Sequence, residues 1–281
     1  MLSEHKGEEE TFEQIIARTG GYPVAAVHRG GGGVFGPENT MHSFRRCLQY
    51  GARLLEIDLR LTRDDQLCIM HDSSVERTTG GRGPIYAHTL AEMQALDAAY
   101  NYPALRGQGI GVPSFAEFLA EFAPVADLLF FFDFKDERAV RAALAQMEPY
   151  GLSGRYMLGS VFAGCNRYLR RVRSSPAVLV CTDIKQTFLV TLAHGTALWP
   201  RYRFVQDVYG FILLPPTRRF WSMQLIADVK AAGARVLLCG AELSRPEVLR
   251  ECVAWGVDFI MTDRPDLLQQ ILAEGKKEKG Q

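Results

Sequence analysis

No two cysteines in the 281-residue chain are spaced as CxxC, and the six thiols (Cys47, Cys68, Cys165, Cys181, Cys239 and Cys252) are scattered through mostly apolar runs. That pattern argues against a zinc ribbon or disulfide scaffold and for reduced thiols packed as small hydrophobes. Neither sign of charge is in excess, since Lys plus Arg and Asp plus Glu are both 32. A nucleic-acid partner is therefore not expected, and an anionic substrate has to be gripped locally. No window holds the roughly 18 to 20 unbroken apolar residues of a membrane span, for even LLFFFDF is interrupted by Asp133. The opening MLSEHKGEEETFEQ is acidic where a secretion signal is basic and then apolar. A cytoplasmic location is expected, at most peripheral to a membrane.

Hydrophobic residues make up 47% and charged residues 23%, enough to build a sizeable core. Nine short apolar runs read as buried strands, at 24–28, 54–59, 67–71, 127–133, 156–160, 178–181, 211–214, 235–239 and 259–262. Helical patterns separate most of them, at 40–50, 114–122, 136–147, 162–173, 220–232 and 265–272. Ser244 with Glu247 reads as a capping box for a further helix ending at Gly256. This alternation predicts an α/β fold, a single (β/α)8 TIM barrel over 21–273 with an irregular insertion after strand 3. A doubly wound open sheet is the alternative. Nine runs exceed eight strands, so one is surplus, and 211–214 is the weakest. Residues 1–20 and 274–281 read as a polar extension and a polar tail, both outside the core.

In LLEIDLRL the period of two sets Leu55, Ile57 and Leu59 on one face and Glu56, Asp58 and Arg60 on the other. Two carboxylates projecting together from an apolar strand need a divalent cation or basic partners, because stripping water from each costs several kcal/mol. If the turn at 62–65 closes a hairpin centred between Asp64 and Asp65, Asp58 and His71 face each other. If the chain instead crosses over in parallel, both end strands at one rim. Val24 to Val27 delivers His28-Arg29 into Gly30 to Gly33, and Pro37-Glu38-Asn39-Thr40 then opens a helix. Leu128 to Phe132 leads to Asp133 and Lys135. Complementary polar groups at four strand ends suit a barrel rim, where such folds carry their sites.

With HRGGGG, PENT, LEIDLRLTRDDQLCIMHD and FDFKD, the chain resembles the glycerophosphodiester phosphodiesterases, metal-dependent barrel enzymes that release glycerol 3-phosphate and an alcohol. The likeness runs from about Val24 to Leu272 and takes in VPSFAE at 112–117, like the family's I-P-T-L-x-E, and FIMTD at 259–263. It implies His28 and His71 as the acid–base pair, with His28 favoured as base. It also implies Glu56, Asp58 and Asp133 as ligands of Mg²⁺ or Ca²⁺, Arg29 and Lys135 on phosphate, and Asn39 supporting the site. Two departures stand out. Asp133 replaces the Glu of many members, and Leu238-Cys239-Gly240-Ala241 replaces their W-T-V-N, which changes one pocket wall.

The segment FLVTLAHGTALW at 188–199, with Pro200 to Phe204, fits no barrel element well. It reads either as an interfacial flap, like the apolar insertion of the lysophospholipase D branch, or as a core helix. The rival activities are accordingly a lysophospholipase D acting on lysophospholipids and, from another class, a lipid-binding barrel without turnover. Retention of His28, His71, Glu56 and Asp58 argues against the latter.

Overall fold

The computed structural model describes residues 11–152, 154–172, 179–204, 207–213 and 221–278. Residues 1–10 and 279–281, and the expected element ends at 173, 178, 214 and 220, lie outside the described residues. Eight parallel strands form a nearly closed barrel: β1 (Val24–Val27), β2 (Leu54–Leu61), β4 (Leu129–Phe134), β5 (Tyr156–Gly159), β6 (Leu179–Val180), β7 (Val208–Ile212), β8 (Arg235–Cys239) and β9 (Phe259–Thr262). Their order is β6-β5-β4-β2-β1-β9-β8-β7. A parallel bridge from Cys181 to Val208 meets the closing edge between β6 and β7. The surplus run is β3 (Leu67–Ile69), which pairs antiparallel with β2 off the barrel path. The weakest run, 211–214, overlaps only the last two residues of β7, a true barrel strand that begins at Val208 and pairs with β8 over five residues.

Strand parity sorts the side chains into two layers. Leu55, Ile57 and Leu59 of β2 join Phe130, Phe132 and Phe134 of β4 in one cluster with Phe115, Phe118 and Phe122 of α4 (Phe115–Phe122). Leu54, Leu129 and Phe131, of the other parity, fill the barrel interior with Val24, Met157, Leu237 and Phe259. The extension expected outside the core contributes to that interior cluster. α1 (Phe12–Thr19) opens with a Thr11–Gln14 capping box and buries Phe12, Ile15 and Ile16. Their i, i+3, i+4 spacing lays one apolar face over the barrel floor, where the Phe12 and Phe259 rings meet edge to face. The tail is likewise more ordered than expected, as α10 runs Pro265–Glu278.

The remaining helices are α2 (Met41–Gln49), α3 (Leu90–Gln94), α5 (Glu137–Met147), α6 (Ala163–Val172), α7 (Ile184–Ala193), α8 (Met223–Ala231) and α9 (Pro246–Ala254). The Ser244 capping box does not form. Arg245 is the N-cap of α9 and makes no side-chain cap bond. Pro246 at the first helical position fixes the start there, where its missing N–H costs nothing. The irregular insertion after the third strand is present between β3 and α4 and includes α3. All six cysteines are free thiols. No helix among the described residues is long and apolar enough to cross a membrane.

Candidate active site

Parallel pairing of β2 with β4 sets Asp58 directly beside Asp133, and Glu56 lies two residues back on the same face of β2. Glu56 and Asp58 are only 2% and 1% exposed. One oxygen from each of Glu56, Asp58 and Asp133 falls within 4.8 Å of the others. Burial and the adjacent Asp58 charge push Glu56 up to about 8. Burial likewise lifts Asp133 to about 6. Asp58 lies below its usual value because Lys135 and Arg29 outweigh the opposing effect of burial. The Asp133 Oδ1 atom is buried with no hydrogen-bond partner. Three converging hard oxygen donors, one of them unsatisfied, fit a Mg²⁺ or Ca²⁺ ion. The side-by-side register also explains how the short Asp133 still reaches the cluster.

His28 follows β1, and its Nδ1 lies 3.0 Å from Asp263 Oδ1, just past β9. Gly32 makes room for this pair, since a Cβ there would sit 2.1 Å from the Asp263 carboxyl carbon. His71 Nδ1 lies 2.7 Å from Asp72 Oδ1. Both rings thus commit Nδ1 to a carboxylate. Burial disfavours the His28 imidazolium, but the Asp263 hydrogen bond and the Glu56 charge prevail and hold it above the usual value. For His71 burial wins over Asp58 and Asp72, and the ring titrates below it.

The hairpin reading of residues 54–71 is correct in type and one residue off in register. Leu59 pairs with Ile69, and the Met70 N–H bonds the Asp58 carbonyl, so Asp58 faces Met70 rather than His71. The groups expected on phosphate lie on carboxylates of this chain. Lys135 Nζ is 2.6 Å from Asp133 Oδ2 and 2.9 Å from Asp58 Oδ1. Arg29 Nε is 3.3 Å from Asp58 Oδ2, and Arg29 Nη1 donates to Glu38 Oε1 at 3.2 Å. Asn39 Nδ2 donates to Asp58 Oδ2 at 2.9 Å. The Arg29 backbone N–H donates to Glu56 Oε2 at 2.9 Å from a left-handed conformation, φ 51°. Such strain in a non-glycine residue is typical of functional sites.

His28, Arg29, Glu56, Asp58, His71, Asp133, Lys135 and Asp263 line a cavity of about 690 Å³ at the C-terminal rim of the strands. A family model described as the glycerophosphoryl diester phosphodiesterase family matches residues 28–267. The chain belongs to that family. A glycerophosphodiester phosphodiesterase of Caldanaerobacter subterraneus subsp. tengcongensis is 27% identical over 249 residues, covering 85% of this chain and 93% of that protein. The glycerophosphodiester phosphodiesterase 1 of Rattus norvegicus is 32% identical over 239 residues, covering 84% and 70%. In fold the chain is similar to a glycerophosphodiester phosphodiesterase from Agrobacterium tumefaciens, with TM-score 0.72, 23% identity and coverage of 90% and 100%. It is also similar to an Oleispira antarctica phosphodiesterase solved with the product sn-glycerol-3-phosphate, with TM-score 0.69, 22% identity and coverage of 89% and 97%.

Leu237, Cys239, Gly240, Ala241, Ile212 and Trp221 add to the lining of the same cavity. The first six residues of the segment that fits no barrel element, 188–193, lie in α7, the helix between β6 and β7, and a separate short turn spans Trp199–Arg201. Val190 and Ala193 bury one face of it, while Ile184, Phe188 and Leu192 line the cavity and remain 57%, 60% and 55% exposed. Its aromatic sequel is tied down, with Tyr202 and Phe204 ring-packed on Tyr209. Sequence reasoning gave no role to Asp72 or Asp263. Asp72 was visible as an acid adjoining His71, whereas Asp263 lies 235 residues from His28 and becomes its partner only in the fold.

Proposed function

We propose that the chain hydrolyses glycerophosphodiesters to sn-glycerol 3-phosphate and an alcohol, with Glu56, Asp58 and Asp133 holding a divalent cation. The observation that carries this reading is the convergence of two carboxylate-anchored histidines with two buried carboxylates and a half-buried third in one cavity. A bound cation would neutralise phosphoryl oxygens as charge develops. Arg29 and Lys135, which contact Asp58, would share the phosphate with the cation, and Asn39 keeps Asp58 oriented. With Nδ1 of each ring held by a carboxylate, His28 is given the attacking hydroxyl's proton to accept and His71 the leaving oxygen to protonate. Glycerophosphocholine, assayed for released glycerol 3-phosphate, is expected to be turned over, with loss of activity in excess chelator and recovery on adding Mg²⁺ or Ca²⁺. Full activity in chelator would remove the cation from the proposal.

The apolar stripe of α7 favours a second reading, in which the diester carries a hydrocarbon chain, as a lysophospholipid does. Phe188 and Leu192 lie one helical turn apart and would cover a chain at about 0.8 kcal/mol per buried CH₂. Changing both to Ser is expected to raise KM for lysophosphatidylcholine about tenfold or more, while glycerophosphocholine hydrolysis changes less than about twofold. Equal damage to both substrates would make the stripe a structural element.

A further inference from the structure

Arg77 belongs to the irregular insertion, is 48% exposed on its side chain, and has no place in the mechanism above. Its guanidinium lies between two carboxylates and grips each with two nitrogens. Nε donates to Asp72 Oδ2 at 2.5 Å and Nη2 to Asp72 Oδ1 at 3.1 Å. On the other side Nη1 donates to Glu38 Oε2 and Nη2 to Glu38 Oε1, both at 2.7 Å. The oxygens met by Nη2 each hold a site residue. Asp72 Oδ1 is the atom paired with His71 Nδ1, and Glu38 Oε1 is the acceptor of Arg29 Nη1. One nitrogen of an exposed arginine therefore joins the carboxylate that orients a histidine to the carboxylate that orients the arginine beside Asp58. The backbone of Arg77 is fixed in turn, because Asn101 Nδ2 donates to its carbonyl at 2.7 Å from the far side of the insertion.

We propose that Arg77 is a positioning residue that holds the His71 ring and the Arg29 guanidinium in register with each other through Asp72 and Glu38. The inference rests on the hydrolytic role given above to His71 and Arg29. The planar fork matters, since a guanidinium matches two carboxylates at once and an ammonium presents a single charge centre. An insertion that looks like decoration then supplies the brace between two strand ends, and a shift of an ångström at either end is enough to cost a large factor in rate.

The test compares Arg77→Gln and Arg77→Lys with the wild type in three measurements: steady-state kinetics on glycerophosphocholine, thermal melting, and the low-field His71 Nδ1–H resonance. The resonance is identified by its loss in Asp72→Asn. Both variants are expected to melt near the wild type, to lose about ten- to a hundredfold in kcat with KM within about threefold, and to lose or broaden the resonance. Full rescue by Lys overturns the proposal, since charge alone would then suffice. Retained kcat in Gln overturns it, and so does lost kcat with an intact resonance. Should Arg77→Gln fail to fold, Glu38→Gln breaks the same link from the opposite side and carries the same expectations. If the wild type hydrolyses no diester, the functional reading fails, while the resonance in Arg77→Gln still decides whether Arg77 holds His71.

Discussion

His28→Ala and His71→Ala are each expected to stay folded and lose at least about a hundredfold in kcat, because a positioned acid or base contributes about 10²- to 10⁴-fold. Both rings line the cavity and sit in its wall rather than in the packed core, so truncation removes chemistry more than packing. The pH–rate profile of the wild type should be a bell with one limb from each ring. Whichever ring acts as base, the alkaline limb follows the ring of higher proton affinity, and that is His28, raised where His71 is lowered. Asp263→Asn withdraws the hydrogen bond that favours the imidazolium, and the alkaline limb should move to lower pH. Near wild-type turnover in either alanine variant, with matched melting, would leave that histidine without a catalytic role.

Asp58→Asn is expected to weaken cation binding by about a thousandfold and to remove activity with it, since a carboxylate ligand contributes several kcal/mol. Its place is central: Lys135, Arg29 and Asn39 all converge on it. The substitution also leaves buried cations short of a partner, which lowers the melting temperature by itself. Calorimetric titration with Mg²⁺ or Ca²⁺ below the melting range separates the two effects, and Asp133→Asn serves if the first variant does not fold. Glu56, pushed up to about 8, has to give up its proton to act as a ligand. Affinity should therefore rise as pH increases toward 8, and binding at neutral pH should release a proton into the buffer. Unchanged affinity in Asp58→Asn would refute the three-carboxylate site.

The strand faces were legible in the sequence because a pleat has no alternative to a period of two. Glu56 with Asp58 against Leu55, Ile57 and Leu59 could be assigned to opposite sides before any neighbour was known. Register was less legible. The turn after β2 places Asp65 at φ 54°, and this local geometry decides whether residue 70 or 71 faces Asp58. A short apolar run such as 67–71 reads the same as a barrel strand or as a hairpin arm, and only the fold shows that it supplies the arm Leu67–Ile69. Phe12, Ile15 and Ile16 carried a helical period, but the acidic residues around them hid it. The contacts of Arg29, Asn39 and Lys135 with Asp58 escaped because each depends on a carboxylate from another strand. Membership of the family was readable from motif order alone.

The helix laid across the barrel floor has a consequence for traffic. With Phe12, Ile15 and Ile16 packed beneath Phe131 and Leu237, the described residues offer the cavity a mouth only at the upper rim. A diester arriving and two fragments departing must then share one doorway. A side chain that narrows the doorway therefore stands in the path of entry and of departure alike. Where departure limits turnover, substitutions along the α7 edge would alter throughput as well as apparent affinity without touching a reacting atom.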